Sequence, residues 1–262
     1  MTTLIPVLIP TTFLIFFIAE RLWPDRALPS IRGWWAIGLL GFAASGVIIT
    51  GTSAALTNAL HDYALLDLAG LGTVAGGLVF FLAVDFIEYW LHRARHRSNI
   101  LWRIVHQMHH APDRIDTAAG FFAHPFEFAL LGVTSGAVAA LLGVSPGAAA
   151  LGTFLSFAMN VFVHSNIRTP RWIGLVIARP EMHAVHHEAG VHAFNYAFCS
   201  LYDRAFGTYR NPETFHGENG LGHDAWKKIG TLLFGGDVTR VVQAAPAPMT
   251  SAQAPMPAPA LS

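Results

Sequence analysis

Charge is what this 262-residue chain has least of: Asp, Glu, Lys and Arg together make up 12% of it, against about 25% in an average globular protein. The two signs cancel to a formal net charge of zero. Disorder along the whole chain needs low hydrophobicity and high net charge, the reverse of the 53% hydrophobic content found. Only two lysines are present, and no basic run leaves the electrostatic footprint of a nucleic-acid partner. The single cysteine, Cys199, excludes an internal disulfide and any CxxC zinc or redox motif. A Walker phosphate loop is missing as well.

What is there instead is apolar sequence in blocks. A helix crossing the ~30 Å hydrocarbon layer takes about 20 mostly apolar residues. Five stretches qualify: Leu4–Ala19, Trp34–Leu56, Leu65–Trp90, Phe126–Val144 and Ala148–Val163. The first lacks the basic start of a signal peptide, since Met1–Pro10 holds no Lys or Arg, and is read as an uncleaved anchor. Ser145-Pro146-Gly147 joins the last two as a hairpin turn. The expected fold class is therefore all-α: an integral membrane bundle of four to five spans with a cytosolic helical cap.

The 16 Lys and Arg fall in three segments only: between spans one and two, between spans three and four, and after span five. By the positive-inside rule these segments face the cytoplasm, and five spans with the N-terminus outside satisfy this without exception. The arginine-rich, Ala- and Gly-rich composition leans towards a bacterial inner membrane. Residues 1–242 are expected to form a single membrane-embedded domain, and the uncharged Ala/Pro-rich 243–262 a disordered tail. Gly72-x-x-x-Gly76 and Gly132-x-x-x-Gly136 lie inside spans, where small residues let helices approach closely.

Histidine is over-represented, at 14 residues, and its spacing is ordered. His92-x-x-x-His96 ends span three, His106-x-x-His109-His110 follows, and His183-x-x-His186-His187 repeats the pattern after span five. At this frequency one HxxHH is expected about 0.04 times by chance, and two about once in a thousand such chains. On a helix, positions i, i+3 and i+4 share a face, so each box is expected to present its imidazoles in one direction. Neutral imidazole is a common ligand of iron, zinc, copper and nickel. Three converging boxes supply eight nitrogens, too many for one ion and suited to two.

Asp85, Glu88, Tyr89, His92 and His96 form one stripe along span three. Carboxylates in an apolar span are costly and usually functional, and metal-bound histidines commonly donate their other N–H to a carboxylate. Asp85 and Glu88 are thus candidates to support the ligands, with pairing of Glu88 to Arg93 or Arg95 the alternative. His164 ends span five on the side of the boxes and is a further candidate ligand. His124 is either a supporting group or a cap where span four begins, and His192 is a further supporting candidate. His61, His216 and His223 read as ordinary surface residues. His187-Glu188-x-x-x-His192 is one residue too long for the HExxH zinc helix. Gly70-x-Gly72-x-x-Ala75 lacks the strand that a dinucleotide site needs.

Taken in order, HxxxH (His92, His96), HxxHH (His106–His110), HPxE (His124–Glu127), HxN (His164–Asn166) and HxxHH (His183–His187) resemble the fatty acid hydroxylase/sterol desaturase superfamily. So do Asp85-Phe-Ile-Glu-Tyr-Trp-Leu-His92, Asn195-Tyr196 and Leu201-Tyr-Asp203-Arg204-Ala-Phe-Gly207-Thr-Tyr209. The resemblance covers residues 80–212, departing at Ala197, where the family often has Gly, and at Tyr202, where Trp is common. It implies a membrane-bound non-haem di-iron oxidase that uses O2 and electrons from a separate donor, a ferredoxin or cytochrome with its reductase, to hydroxylate or desaturate a membrane lipid. Carried over, the ligands of the two iron ions would be His92, His96, His106, His109, His110, His183, His186 and His187, with His164 next and Asn195 among the supporting residues. Sterol, hopanoid, carotenoid and fatty-acyl substrates all fit an apolar channel between spans three to five, where Phe121, Phe122, Phe128, Phe154, Phe157 and Met159 are candidate lining. Arg93, Arg95, Arg97 and Arg103 could dock an acidic donor.

Alternatives are an acyl-lipid desaturase of a different histidine-box family, a histidine-rich metal transporter, which would prefer polar groups at mid-bilayer, and a b-type haem carrier, which would leave at least six histidines unexplained.

Overall fold

The computed structural model describes residues 4–239. They form ten α-helices joined by short 3-10 and π turns: α1 (Ile5–Leu22), α2 (Trp34–Leu60), α3 (Gly72–Arg97), α4 (Asn99–Leu101), α5 (Gln107–His110), α6 (Pro125–Leu142), α7 (Pro146–His164), α8 (Pro180–His186), α9 (Ser200–Ala205) and α10 (Ile229–Leu233). Strands are absent among the described residues, where only isolated bridges such as Pro24 to Ile167 occur. Five helical segments are long and apolar enough to cross a membrane, those built on α1, α2, α3, α6 and α7, which marks the chain as an integral membrane protein. The expected tail, 243–262, lies outside the described residues.

The third span starts later than hydropathy predicts. Leu65 to Leu68 precede the membrane-length segment, which begins at Ala69: the backbone N–H groups of Leu65, Leu66 and Leu68 donate to the carbonyls of Leu141 and Leu142. They thereby satisfy acceptors that the C-terminal end of α6 would leave orphaned. Gly72, at φ 71°, then turns the chain into α3, a conformation open to glycine without cost. The hairpin between α6 and α7 carries the string Gly143-Val-Ser-Pro-Gly147, which spells the GxSxG pattern of hydrolases. It is a helix-to-helix turn: the Ser145 hydroxyl accepts from Ala148 N and caps α7.

Close helix approach depends on small residues. α2 lies along α6, α3 along α7, and α1 on α7. A Cβ on Gly136 would stand 2.5 Å from the carbonyl oxygen of Ser53 on α2, so the second expected small-residue pair sits in a real contact. In the first pair, Gly76 faces Ala148 of α7, whereas Gly72 faces nothing.

The rest of the chain, 98–124 and 165–239, forms the cap over one end of the bundle. All described basic residues lie in this cap, in the connection between α1 and α2, or at the α1 and α3 ends that reach it. Trp34 opens α2 inside the cap, donating its indole N–H to Asp116 (2.9 Å to Oδ1) and packing with Phe122, Trp226 and Leu232. Glu20, near the end of α1, accepts from Thr117 N (2.9 Å), the Thr117 hydroxyl (2.8 Å) and Asn166 N (3.2 Å). Cap and membrane helices are therefore tied by buried hydrogen bonds.

Gly136→Ala is expected to destabilise the protein by about 1–3 kcal/mol through overpacking against α2, read as a lower unfolding midpoint in detergent. Gly46→Ala, where nothing lies within 4 Å of the added Cβ, should leave the midpoint within the roughly 0.5 kcal/mol expected of a neutral site.

Candidate metal centre

Four elements deliver histidines to one region. α3 brings His92 and His96 on successive turns. A five-residue π turn, Trp102–His106, is followed by α5 with His109 and His110. α7 ends on His164, and α8 carries His183 and His186, with His187 at its C-cap. Their ring nitrogens fall into two groups, His92, His96, His106, His110 and His186 in one and His109, His164, His183 and His187 in the other, with the nitrogens of each group within 4.8 Å of one another.

The boxes do not each point one way. In both HxxHH sequences the first and last histidines enter one group and the i+3 histidine crosses to the other: His109 leaves His106 and His110, and His186 leaves His183 and His187. Helix periodicity separates i+3 from i+4 by about 100° around the axis. Where two metal positions flank a helix, that angle divides the box.

The tautomers show what this arrangement demands. Nδ1 lies 2.8 Å from Tyr196 O in His92, 2.7 Å from Glu127 Oε1 in His106, 2.8 Å from Asn160 O in His164 and 2.8 Å from Phe194 O in His186. Carbonyl and carboxylate oxygens only accept, so each of these rings donates from Nδ1 and turns a bare Nε2 lone pair inward. Yet His92 Nε2 and His106 Nε2 stand 2.9 Å apart, two acceptors facing each other. The contacts of His110 with His106 (3.1 Å), His164 with His109 (3.2 Å) and His183 (3.0 Å), and His187 with His183 (3.0 Å) are likewise Nε2 to Nε2. Nitrogens bound at about 2.0–2.1 Å to one ion and at right angles to each other lie about 2.9 Å apart. Both ring nitrogens of His96 and the Nε2 of His186 are buried without a hydrogen-bond partner, each costing about 1–3 kcal/mol if left so. Each of the two nitrogen groups could hold a metal ion, and the facing lone pairs of His92 and His106 fit that use.

Burial keeps the cap histidines neutral and hence able to coordinate. It pushes His106, His109, His110, His183 and His187 well below the ordinary imidazole range and His186 down to about 3.

Several sequence expectations change here. Asp85 touches no imidazole: its carboxylate accepts from Phe198 N (2.9 Å) and Cys199 N (2.7 Å) and pins that loop to α3. Glu88 pairs with Arg95 at 2.8 Å. The carboxylate on a histidine is instead Glu127, which lies in the HPxE string, one turn into α6; the pairing joins residues 21 apart in sequence, which local spacing does not reveal. His124 Nδ1 accepts from Phe126 N and caps α6, while its Nε2 donates to Leu233 O at 3.2 Å, so it has no free lone pair for a metal. His192 sits behind His110, Nδ1 to Nδ1 at 3.3 Å. Asn195 donates to Met182 O (2.8 Å) and Arg210 O (2.9 Å), clamping its loop to α8. Arg95 is buried between Glu88 and Glu127 (3.8 Å) and cannot dock a partner.

A cavity of about 230 Å³ reaches this centre through His109. Glu88, Glu127 and Asn160 line it near that end, and Phe42, Ile49, Phe128, Leu131 and Phe157 farther along. Of the expected lining residues Phe121, Phe128 and Phe157 take part, whereas Phe122, Phe154 and Met159 do not. The walls extend to Ile9 of α1 and to α2, beyond the expected spans three to five, because α2 lies along α6.

The fold and site together define a membrane helical bundle capped by a two-group histidine centre. A family model for fatty acid hydroxylase matches residues 77–208, half of the chain, and the chain belongs to that family. It is 31% identical over 139 residues to the very-long-chain aldehyde decarbonylase GL1-9 of Oryza sativa subsp. indica, covering 50% of this chain and 53% of the relative. With sphinganine C4-monooxygenase 2 of Arabidopsis thaliana it shares 29% over 139 residues, with the same coverage. With human alkylglycerol monooxygenase it shares 27% over 133 residues, 49% of this chain and 29% of that one. The chain thus matches these curated relatives over about half of their length or less. No solved structure matches it.

Glu127→Gln should weaken metal binding by up to about 10- to 100-fold, because a neutral amide oxygen accepts the His106 Nδ1 proton more weakly than a carboxylate; chelator competition on purified protein measures this. Metal-free protein should lose stability as pH falls below about 6.5, where unfolded histidines take up protons that the folded cap excludes. For His186 that loss grows down to its folded value of about 3, so the unfolding midpoint of chelated protein should drop between pH 7.5 and 5.

Proposed function

We propose that the chain is a membrane-bound di-iron oxygenase that hydroxylates or desaturates an unactivated C–H position of a membrane lipid. The observation carrying this is the facing of bare imidazole lone pairs in two adjacent groups beside an apolar cavity. His92, His96, His106, His110 and His186 would hold one iron and His109, His164, His183 and His187 the other. Bound there, iron would supply the reduction of O2 and the oxidation of the C–H bond, with electrons drawn from a separate donor, a ferredoxin or cytochrome with its reductase. The names of the matched relatives specify a very-long-chain aldehyde, sphinganine and an alkylglycerol, which supports a long-chain lipid.

The chain's own residues prepare the site. Glu127 and the carbonyls of Tyr196, Asn160 and Phe194 hold protons at Nδ1 of their histidines and so aim Nε2 inward. Gly120 lets the cap settle on α7: a Cβ there would stand 3.1 Å from the His164 ring. Arg179, buried and paired with Glu181 at 2.9 Å, fixes the start of α8. Phe121, Phe128 and Phe157 exclude water from the cavity, as a site of reactive oxygen chemistry requires. In this reading residues 1–242 act as one domain, with the cap and its histidines on the cytoplasmic side, where the arginines gather.

Protein purified from iron-supplemented cells should carry about two irons per chain, the number the two nitrogen groups accommodate. His186→Ala and His187→Ala each delete a ligand from a different group, and both should lower iron content. No bound metal in the parent, or unchanged content in both variants, would overturn the reading. Lipid profiles of cells with and without the protein then identify the product.

A further inference from the structure

The cavity is chemically two-ended. Its lining includes Asp85, Glu88 and Glu127; Glu127 reaches His106, and the buried guanidinium of Arg95 lies between Glu127 and Glu88. Asp85 has both oxygens occupied by backbone N–H groups. Glu88 gives Oε2 to Arg95, and Glu127 gives Oε1 to His106, but Glu88 Oε1 and Glu127 Oε2 are buried without any hydrogen-bond partner. Farther from the histidines the wall is aromatic and aliphatic, and its polar groups are neutral; the hydroxyls of Ser45 and Ser156 donate to carbonyls of their own helices. The wall reaches Thr50, 16 residues into α2, about 24 Å from that helix's cap end.

A buried carboxylate oxygen without a donor is expensive. Of the two free oxygens, Glu127's belongs to a side chain already committed to His106. Glu88 is the available acceptor: it lines the cavity, and its other oxygen is anchored by Arg95. A plain hydrocarbon entering here leaves that oxygen unsatisfied. A chain with a hydroxyl or amine at one end satisfies it and lays its tail along Phe42, Ile49 and Leu131.

We propose that the substrate is a single-chain amphiphile whose hydrogen-bond-donating head group docks on Glu88, so that the carbon presented to the histidines lies within a few bonds of that head. This rests on the lipid-oxygenase reading and narrows it: chains functionalised near a hydroxyl or amine are taken, and acceptor-only or wholly apolar chains are disfavoured. Glu88 is a specificity-determining residue, separate from the groups that hold metal.

The test uses the full-length protein in detergent and three chain-matched probes: 1-hexadecanol, hexadecylamine and hexadecyl methyl ether. Binding is read as the rise in unfolding midpoint with probe concentration, which reports affinity for the folded state. On the parent protein the alcohol and the amine should bind about tenfold or more tightly than the ether, the margin of one hydrogen bond to a charged acceptor. Glu88→Gln keeps an oxygen for Arg95 and turns an N–H donor to the cavity, so amine binding should fall about tenfold and ether binding should hold or rise. Iron content, measured on the same samples, should stay unchanged. Equal binding of the three probes to the parent, no binding of any, or an unaltered order in Glu88→Gln would overturn the proposal. The parent ranking needs no variant and stands even where Glu88→Gln fails to fold. An iron-free parent that still ranks the probes as expected would sink the oxygenase reading and leave the head-group site intact.

Discussion

The arrangement of the cap turns on a proton that is in the wrong place for a hydrogen bond. Four imidazoles have their single N–H drawn outward to Tyr196, Glu127, Asn160 and Phe194, which leaves the Nε2 lone pairs of His92 and His106 facing each other at 2.9 Å. Neutral rings in that orientation repel. The surrounding structure overcomes this repulsion from several directions at once. α3 is pinned through Asp85, α8 through Arg179 and Glu181, α6 through Glu127, and the α5 segment through Trp34 and Asp116. Each of these anchors is a buried polar group with its partner in a different element, which is why the cap, although poor in regular structure, contains most of the buried charge.

The membrane helices and the boxes were legible from sequence because both are local signals. A run of apolar residues or an HxxHH string needs no knowledge of what packs against it. Boundaries suffered where a local signal had a distant cause: Leu65 to Leu68 read as membrane helix by hydropathy but serve α6 as capping loop. The carboxylate on His106 was misplaced for the same reason. Asp85 and Glu88 shared the histidine stripe on α3 and looked like the natural partners, whereas Glu127 reached the ring across the fold. His124 and His192 carried box-like spacing without a lone pair or position for a metal. His164, outside the three boxes, stood out because it ended a span on the boxes' side and fell in the HxN string.

Arginine shows how one residue type answers two demands. The positive-inside pattern requires cations at this end of the bundle, and a reading from charge distribution alone assigns all of them to topology or to docking. In the folded chain Arg95, Arg114 and Arg179 are instead held by acidic partners: Glu88, Asp116 and Glu181. Guanidinium suits this use because its fork can satisfy several acceptors while remaining charged. Arg179 alone reaches Glu181, Thr169 and Asn211, a role that an ammonium with three donors on a flexible stem would fill poorly.

The exchange of i+3 histidines between groups has a consequence for assembly. Had each box filled its own group, α5 and α8 could each organise an ion independently and the halves of the cap could form separately. With His109 given to the α8 group and His186 to the α5 group, neither group is complete until both segments are in place beside α3 and α7. An ion bound in either group would then stabilise only the state in which all four elements have met, which would make metal binding and cap folding one cooperative event. The buried contacts that anchor α3, α6 and α8 would in that case keep the nitrogens gathered before an ion binds.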